Sequence, residues 1–399
     1  MAVAGIIAEY NPFHRGHRWQ IQTLRRLLGA DAAVVAVMSG NFVQRGDFAV
    51  LEKRARAECA LLGGADLVLE LPSPWSAATA ERFAQGGVAL LAATGVVTHL
   101  AFGCETGDLG PLAAAARCLE NPGWEEAARR HLAAGVTFAA ARQAAVRDLA
   151  GEGAAACLSR PNDILAVEYL RAAARQGAAL QPLALPRVGA PHDSGDLGPY
   201  PSASAIRGRL LAGESWRELL PEETAQVLDR EMAAGRAPAS LKNCERAVLA
   251  RLRSMAEEDF RPYDGGGEGL YHRFYGAVQS CTRLEDILAG VKTKRYPLAR
   301  IRRLLLHSCL GLVPASQGQT PPYLRVLGAN DRGRALLGEM RKKAALPVVT
   351  KPAAARRLGA EARDLLAREA VWTDLYTLSW PDLDQAKPGL EYTAGPVMR

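Results

Sequence analysis

Residues 5–20 read GIIAEYNPFHRGHRWQ and place an apolar run directly before two histidines in H-x-G-H spacing. An apolar run that ends at Asn-Pro predicts a buried strand followed by a turn. With 7 His and 38 Gly in 399 residues, chance gives this spacing on the order of 0.01 times per chain. We therefore expect the turn that holds His14 and His17 to decide both the fold and the site.

Strand-like and helical segments alternate over the first quarter of the chain. The strand-like runs are AVAGIIAEY, AAVVAVMSG, ADLVLELP and THLAFGCE, with amphipathic segments near residues 17–29, 51–63 and 76–93 between them. A fifth strand-like run, QPLALPRVG, follows an alanine-rich helical stretch. This order predicts an α/β fold with a Rossmann-like parallel sheet of five strands and helices on both faces. Ligands of such sheets bind outside the carboxyl ends of the strands, near the switch in strand order, and the H-x-G-H turn lies at that edge.

The sequence pattern changes near residue 216. Strand-like runs nearly vanish beyond it, and helices with many arginines replace them. We predict an α/β domain with the H-x-G-H turn over residues 1–215 and a mainly helical basic region over residues 216–399. From about residue 345 we expect one more helix and a loosely held end.

Composition limits the class of protein. The chain is 49% hydrophobic and 23% charged, as in globular proteins. Its 7 scattered cysteines form no C-x-x-C pair and no cluster with zinc-ligand spacing, so we expect a reducing compartment and no zinc. No run reaches the roughly 20 apolar residues of a membrane span, and we expect a cytoplasmic protein with no membrane partner. The formal charge of +7 permits a polyanionic partner without requiring one.

The two histidines would lie at a helix start, where backbone amides and the helix dipole already favour phosphate. Two imidazoles there can donate hydrogen bonds to phosphoryl oxygens and stabilise the charge that develops when an α-phosphate is attacked and pyrophosphate leaves. The alternative is a pair of structural histidines that cap the helix.

A second stretch, SASAIR at residues 202–207, belongs with this turn. Together the two stretches resemble the nucleotidyltransferase superfamily with an H-I-G-H-like motif, whose members transfer AMP through attack on the α-phosphate of ATP. The resemblance implies that Ser202 and Ser204 donate to the leaving phosphates and that Arg207 neutralises them. A serine-rich helix start is also a common N-cap, and that alternative stays open.

A finer resemblance extends from residue 2 to about residue 312. The motifs AEYNPFHRGH, VMSGNFVQRGDFA, GADLVLELP, AFGCE, RPNDILAVEYL, PRVGAPHD, SASAIR and VKTKRYPLARIRRLLLH occur in the order that is typical of the tRNA(Met) cytidine acetate ligase family. The resemblance implies activation of acetate with ATP to acetyl-adenylate, followed by acetylation of the wobble cytidine of elongator tRNA(Met). It also implies ATP contacts from Ile7, Ala8, Glu9, Tyr10, Asn11, Pro12, Phe13, His14, Gly16, His17, Gln20, Gly103, Asn162, Arg187 and Val188.

Several of these positions have a physical interpretation of their own. Gly103 lets the backbone approach a nucleotide without a Cβ clash. Asn162 offers a donor and an acceptor, with an N-cap beside Pro161 as the alternative. Arg187 ends the fifth strand and points toward the same crevice, unless it forms a surface salt bridge. His192 and Asp193 follow in a loop that could orient the acceptor amine.

The segment SGNFVQRGDFAVLEKRARAE follows the second strand and adds further polar groups. We expect Asn41, Gln44 and Arg45 to bind acetate or the incoming nucleotide, and Arg45 is the best candidate because its planar donors match two oxygens at once. Lys53 and Arg54 are weaker candidates. In the alternative interpretation these cations line a solvated helix face, which we expect for Arg56.

A basic run stands apart in the helical region. The stretch VKTKRYPLARIRRLLLH has no acid. Its cations are predicted to contact the backbone of folded RNA, and they are Lys292, Lys294, Arg295, Arg300, Arg302 and Arg303. A solvated helix face is the ordinary alternative.

The sequence therefore predicts an ATP-dependent tRNA cytidine acetate ligase in which Mg²⁺ enters with ATP. One rival is a small-molecule adenylyltransferase of the same fold, which would not need the basic helical region. The other is a non-catalytic RNA-binding protein that responds to ATP. The sequence does not give the oligomeric state.

Overall fold

The computed structural model describes residues 1–187, 200–265 and 269–399. Within those residues the strands are β1 (Val3–Ala8), β2 (Ala33–Ser39), β3 (Phe42–Val43), β4 (Asp47–Phe48), β5 (Leu67–Leu71), β6 (His99–Cys104), β7 (Gln181–Pro186), β8 (Leu324–Ala329), β9 (Val348–Val349) and β10 (Val397–Met398).

The helices of the first half surround these strands. They are α1 (Arg15–Leu28), α2 (Lys53–Leu62), α3 (Ser73–Ser76), α4 (Ala80–Ala93), α5 (Leu109–Glu120), α6 (Gly123–Ala133), α7 (Phe138–Ala150), α8 (Glu152–Ala156), α9 (Pro161–Arg175) and α10 (Ala203–Ala212), with a 3₁₀ turn at Cys157–Ser159.

The second half is mainly helical. Its helices are α11 (Glu222–Ala233), α12 (Glu245–Arg253), α13 (Leu270–Ser280), α14 (Leu284–Val291), α15 (Leu298–Leu310), α16 (Asp331–Lys343), α17 (Ala360–Thr377) and α18 (Leu390–Thr393), with 3₁₀ turns at Arg217–Leu219, Glu257–Tyr263, Pro352–Arg357 and Leu383–Gln385. None of the helices in the described ranges combines the length and apolarity that crossing a membrane needs.

One mostly parallel sheet organises the chain. Its order is β10-β8-β5-β2-β1-β6-β7, with β9 paired to β8. Every pairing in it is parallel except β5 with β8. The chain runs from β1 through β2 to β5 on one side and returns through β6 to β7 on the other, so strand order switches at β1. The α/β class and the parallel sheet are confirmed, and the switch point puts the H-x-G-H turn at the site edge.

Apolar side chains on both faces of the central strands explain why helices cover both faces. Val35 and Val37 of β2 belong to one buried cluster, while Val34, Ala36 and Met38 belong to the other. Adjacent strand residues point to opposite faces, so a continuous apolar run can be buried only if both faces are covered.

Three strands of the sheet come from the region that we expected to be helical. β8, β9 and β10 extend the sheet beyond β5, so the expected count of five strands is wrong. β8 escapes a pattern search because its run, LRVLGA, stands between long helical segments rather than in an alternation of strands and helices. The boundary near residue 215 stays a prediction, although the C-terminal strands lie in the same sheet as β1.

The end of the chain is held firmly, contrary to expectation. Glu391 of α18 is 1% exposed. Its carboxylate pairs with Lys53 at 3.0 Å and with Arg325 at 2.7 Å. Lys53 also pairs with Glu70 at 2.7 Å and is fully buried. A loose tail is therefore wrong, and so is a solvated Lys53, because α2 packs its first turn against a carboxylate from the C-terminal segment.

Candidate active site

A cavity of about 650 Å³ opens at the carboxyl ends of β1, β6 and β7. It collects most of the residues that the sequence singled out. Those that line it are Ile7, Ala8, Glu9, Tyr10, Asn11, His14, Gly16, His17, Gln20, Gln44, Arg45, Gly103, Asn162, Arg187, Ser204, Arg207, Arg302 and Arg303.

The H-x-G-H turn uses both imidazoles to build the helix start. The Nδ1 atom of His14 accepts the Gly16 N–H at 3.0 Å, and the Nδ1 atom of His17 accepts the His14 N–H at 3.2 Å. The two rings stack with centroids 3.7 Å apart. Because each Nδ1 accepts a backbone proton, each neutral ring carries its own proton on Nε2. The capping and phosphate-binding interpretations are therefore compatible, since the cap uses only the Nδ1 atom of each ring.

His17 is held in its neutral form. Burial lowers its pKa well below the usual range, and the neighbouring His14 and Arg187 lower it further. Its ring packs edge-on against Tyr10, with centroids 4.8 Å apart, and against Phe13 at 5.5 Å. Tyr10 has a left-handed φ of 47°, a strained conformation for a tyrosine. The turn is thus packed around His17 as a neutral donor.

Buried polar side chains brace the turn from behind. Arg56 is fully buried, and its guanidinium donates to the backbone carbonyls of Glu9 at 2.6 Å and of Gly40. The expected solvated face for Arg56 is wrong, because the parallel strands β1 and β2 end here and leave carbonyl groups that need donors. Asn11 accepts the Val50 N–H at 2.9 Å. The loops after β1 and β2 are therefore fixed to each other.

The SASAIR stretch forms the start of α10. Ser202 is the N-cap, accepting the Ala205 N–H at 3.1 Å, and its hydroxyl lies 3.1 Å from that of Ser204. Ser204 and Arg207 line the cavity, whereas Ser202 does not. Arg207 donates to the backbone carbonyl of Asn11 at 2.8 Å, and burial lowers its pKa. A second helix start with a nearby guanidinium thus faces the first.

The ends of β6 and β7 form one end of the cavity. Open space lies in front of Gly103, where an added Cβ would meet nothing within 4 Å. Asn162 donates from its side chain to Glu105 at 2.6 Å. It lies inside α9, whose N-cap is Arg160, so the N-cap alternative for Asn162 is wrong. Burial lowers the pKa of Arg187, which ends this wall.

The opposite end is built by two segments far apart in sequence. The hairpin of β3 and β4 brings Gln44, Arg45 and Asp47 to the cavity, and α15 brings Arg302 and Arg303. The Arg303 guanidinium donates to the Gln44 carbonyl at 3.2 Å. Whether these two arginines contact RNA stays a prediction, but their place in the cavity wall separates them from the rest of the basic run.

The remaining predicted residues lie elsewhere. Pro12 and Phe13 are buried beneath the turn. Asn41 is buried as well, accepts the Lys53 N–H at 3.0 Å and donates to Thr373 at 3.3 Å. Arg300 pairs with Asp264 at 3.1 Å. Solvent-exposed cations precede α15, namely Lys292, Lys294 and Arg295. Predicted positions outside the described residues are Val188, His192 and Asp193.

The sequence analysis missed two features of the cavity. One is Asp47, whose pKa is raised by burial against the opposing charges of Arg302 and Arg207. Its position directly after Arg45 and Gly46 was the available signal. The other is an apolar wall of Phe83, Phe102 and Tyr169. No local motif marks a wall assembled from three separate elements.

The carboxylates of the cavity decide how a cation could be held. In the described part of the lining these are Glu9 and Asp47, and no cluster of three or more His, Cys, Asp or Glu able to hold a metal is found among the described residues. Glu9 accepts the Gln44 N–H at 2.8 Å. This lining fits a magnesium ion that is carried by phosphate oxygens.

The switch at β1, the H-x-G-H helix start and the facing serine-capped helix define a nucleotidyltransferase of the H-x-G-H class. In agreement, the sequence pattern of the HIGH nucleotidyl transferase family matches residues 1–388. The tRNA(Met) cytidine acetate ligase of Syntrophomonas wolfei is 38% identical over 100% of this chain and 99% of its own length. That of Fervidobacterium nodosum is 37% identical over 98% of each chain.

Solved structures agree. An apo crystal structure of Thermotoga maritima TmcAL superposes with a TM-score of 0.94 at 35% identity, covering 100% of this chain and 99% of that one. The same protein bound with alpha-thio ATP gives 0.93 at 34% identity with equal coverage. This chain belongs to the HIGH nucleotidyl transferase family and, within it, to the tRNA(Met) cytidine acetate ligases.

Proposed function

We propose that this chain is an ATP-dependent ligase that activates acetate as acetyl-adenylate and acetylates the exocyclic amine of the wobble cytidine of elongator tRNA(Met). The observation that carries the proposal is the H-x-G-H turn, in which both imidazoles line the cavity and each Nδ1 atom accepts a backbone N–H, so that each neutral ring carries its own proton on Nε2. The relatives' names, which specify tRNA(Met), cytidine and acetate, supply the substrates.

In the first step a carboxylate oxygen of acetate attacks the α-phosphorus of ATP. The bond from that phosphorus to the bridging oxygen breaks, and pyrophosphate leaves with both electrons. His14 and His17 donate to the α-phosphate oxygens, on which charge accumulates. Ser204 and Arg207 bind the departing phosphates, and Ser202 holds that helix start in place. Two neutral donors suit this step because they stabilise charge without losing a proton.

The nucleoside of ATP takes the end of the cavity formed by β6 and β7. Gly103 leaves room for the base or ribose, Asn162 supplies polar contacts and Arg187 adds a cation near the phosphates. Val188, which follows Arg187, is assigned to ATP by family resemblance. Mg²⁺ would be held by ATP rather than by a dedicated set of protein ligands, and it would supply neutralisation of part of the phosphate charge.

In the second step the cytidine amine attacks the acetyl carbon, the bond to the phosphate oxygen breaks, and AMP leaves. Adenylate is a good leaving group, so placing the amine supplies much of the rate. His192 and Asp193 are proposed to orient this amine. The exposed cations Lys292, Lys294 and Arg295 are proposed to contact the RNA backbone. A tRNA substrate places the protein in the cytoplasm.

The experiment is to incubate the purified chain with ATP, Mg²⁺ and labelled acetate, with and without elongator tRNA(Met). Pyrophosphate release and label on digested cytidine are followed together, and His17→Ala is assayed in parallel. We expect acetylated cytidine that requires ATP and acetate and is lost in the variant.

Other outcomes identify the rivals. Pyrophosphate release that ignores acetate but follows a small-molecule acceptor indicates an adenylyltransferase. Tight tRNA binding without pyrophosphate release, unaffected by His17→Ala, indicates an RNA-binding protein that responds to ATP. Either result overturns the ligase proposal.

A further inference from the structure

The cavity has one end that ATP, as placed above, leaves unassigned. The nucleoside lies at the β6–β7 end, and the phosphates lie at the starts of α1 and α10. The remaining end lies between the β3–β4 hairpin and α15. The proposed ligase has a second small substrate, acetate. Its carboxylate must approach the α-phosphorus from the side opposite to the departing pyrophosphate.

Close packing builds this end as a wall. Gly46, at the hairpin turn, has a left-handed φ of 76°. A Cβ added there would lie 2.6 Å from the carbonyl carbon of Arg302 and 2.7 Å from the Cα of Arg303. The hairpin backbone thus touches the helix backbone, and the Arg303 bond to the Gln44 carbonyl joins them again. The glycine is what permits the two segments to meet.

Positive charge exceeds negative charge at this end. Four arginines of the described lining lie here or next to it, namely Arg45, Arg207, Arg302 and Arg303, against the two carboxylates Glu9 and Asp47. Burial raises the pKa of Asp47, and the guanidinium groups of Arg302 and Arg207 oppose that rise. Burial and the Arg300 guanidinium lower the pKa of Arg303 to about 10. An excess of partly desolvated guanidinium groups is a site for a small anion.

We propose that this end is the acetate subsite, in which the Arg302 guanidinium binds the acetate carboxylate and Arg303 acts as a positioning residue that holds the hairpin. Val43 and Ala299 supply small apolar surfaces beside it, which suit a single methyl group. This inference rests on the proposed ligase function. Of two arginines that the sequence pattern assigned to RNA, it gives Arg302 to substrate binding and Arg303 to holding the hairpin.

The solvent exposure of the side chains distinguishes the cations assigned to RNA from those assigned to the acetate subsite. Lys292, Lys294 and Arg295 are exposed, as contacts with an RNA backbone require. Arg302 and Arg303 are only partly exposed and line the cavity instead. A bidentate guanidinium matches the two oxygens of a carboxylate. In the reaction, the carboxylate oxygen that Arg302 binds less tightly attacks phosphorus, and Arg302 keeps the carboxylate aligned. The negative charge of the carboxylate passes to the leaving pyrophosphate.

The test measures acetate-dependent exchange of labelled pyrophosphate into ATP, without tRNA, in the full chain. Arg302→Ala and Arg302→Lys are compared with Arg246→Ala, which removes an exposed arginine of α12 outside the cavity. We expect the KM for acetate to rise about 10- to 100-fold in Arg302→Ala and less in Arg302→Lys. Binding of a non-hydrolysable ATP analogue should change less than about twofold, and Arg246→Ala should match the wild type.

Each other outcome overturns the subsite. An increase in the KM for ATP places Arg302 on the triphosphate. An unchanged KM for acetate together with a raised KM for tRNA makes it an RNA contact. If Arg302→Ala and Arg302→Lys both lose exchange at every acetate concentration while they still bind the ATP analogue, the role of Arg302 is not to bind acetate. If the wild-type chain shows no acetate-dependent exchange, the proposed ligase function is wrong. That result is distinguished from the failure of the subsite because it does not involve the Arg302 variants.

Arg303 gives an independent check on the wall. Arg303→Lys keeps a donor for the Gln44 carbonyl, and Arg303→Met removes it. For a positioning residue we expect Arg303→Met to raise the KM for acetate with the maximal exchange rate largely kept, and Arg303→Lys to restore most of the affinity. Equal effects of the two variants on maximal rate, with unchanged KM, contradict this role.

Discussion

The amino ends of α1 and α15 both bring donors to the same cavity, yet they differ in how those donors are placed. At α1, His14 and His17 are fixed by hydrogen bonds to backbone atoms within three residues of themselves. At α15, Arg303 is fixed by the carbonyl of Gln44, 259 residues away in sequence. The first arrangement is local and the second depends on the whole fold. Sequence patterns therefore describe the chemistry of α1 well, whereas they do not show that Arg302 and Arg303 of α15 line the same cavity.

The largest effect is expected at the local end. His17→Ala removes both the cap acceptor and the Nε2–H donor, and we expect acetyl-adenylate formation to fall about 10²- to 10³-fold. His17→Gln retains an acceptor for the His14 N–H, as in an ordinary capping box. We expect His17→Gln to have nearly the wild-type free energy of unfolding but a rate of acetyl-adenylate formation as low as that of His17→Ala. His131→Ala, in exposed α6, is the matched control. Recovery of the rate by His17→Gln would reduce His17 to a structural role.

The second prediction separates the two halves of the basic run. Replacing Lys292, Lys294 and Arg295 together with Gln should weaken tRNA binding and lower the slope of log affinity against log salt by about 2 to 3. Formation of acetyl-adenylate without tRNA should stay unchanged, because these side chains are outside the cavity. The matched control changes three exposed cations of α16, namely Arg341, Lys342 and Lys343. An equal loss in both triple variants would mean that binding follows net charge alone.

Much of the fold follows from the sequence because its signals are local. Apolar runs of strand length, helix periodicity and the order of elements predict a parallel sheet with a switch at β1. The H-x-G-H turn is equally local. β8 could not be predicted, because it lies in a helical neighbourhood and its strand partners β5, β9 and β10 are brought to it only by the folded chain.

The site residues also fall into those that local motifs predict and those that depend on contacts between distant segments. Gly103 and Asn162 follow from family motifs at the ends of elements, and both line the cavity. The burial of Arg56 could not be read from the sequence, because its partners are carbonyl groups of loops that only the folded sheet brings together. A cation on a helix is ordinarily solvated. In the same way, the sequence could not show that Arg302 and Arg303 line the cavity, because a hairpin elsewhere in the chain sets their surroundings.

The third prediction concerns a variant that disrupts the contact between the β3–β4 hairpin and α15. Gly46→Ala puts a Cβ against the backbone of α15 and requires a left-handed alanine, so we expect the free energy of unfolding to fall by about 2 kcal/mol or more. Gly135→Ala is the matched control, since Gly135 has a φ of 82° and nothing within 4 Å of an added Cβ. It should lose only about 1 kcal/mol. Chemical denaturation measures both, and equal losses would mean that the close approach to α15 carries no free energy.

The smallest effect concerns pH and returns to α1. A histidine with the ordinary pKa near 6.5 would lose roughly fourfold of its neutral form between pH 7.5 and pH 6. The pKa of His17 is lowered, chiefly by burial and then by His14 and Arg187, so the neutral form should persist across this interval. Acetyl-adenylate formation at saturating ATP and acetate should then change less than about twofold.

Protonation at lower pH puts a proton on Nδ1, which can then no longer accept the His14 N–H. The loss of rate and the loss of the cap should therefore occur together. Stability has the same sign, because a group whose pKa is lowered on folding binds its proton in the unfolded chain first. The free energy of unfolding should thus fall as pH decreases below about 6.5. A rate that titrates near pH 6.5 while the free energy of unfolding stays level would mean that an exposed group controls the step. That outcome would remove the buried, neutral His17 from the centre of the mechanism. A free energy of unfolding that falls below about pH 6.5 before the rate falls would instead support a buried, neutral His17.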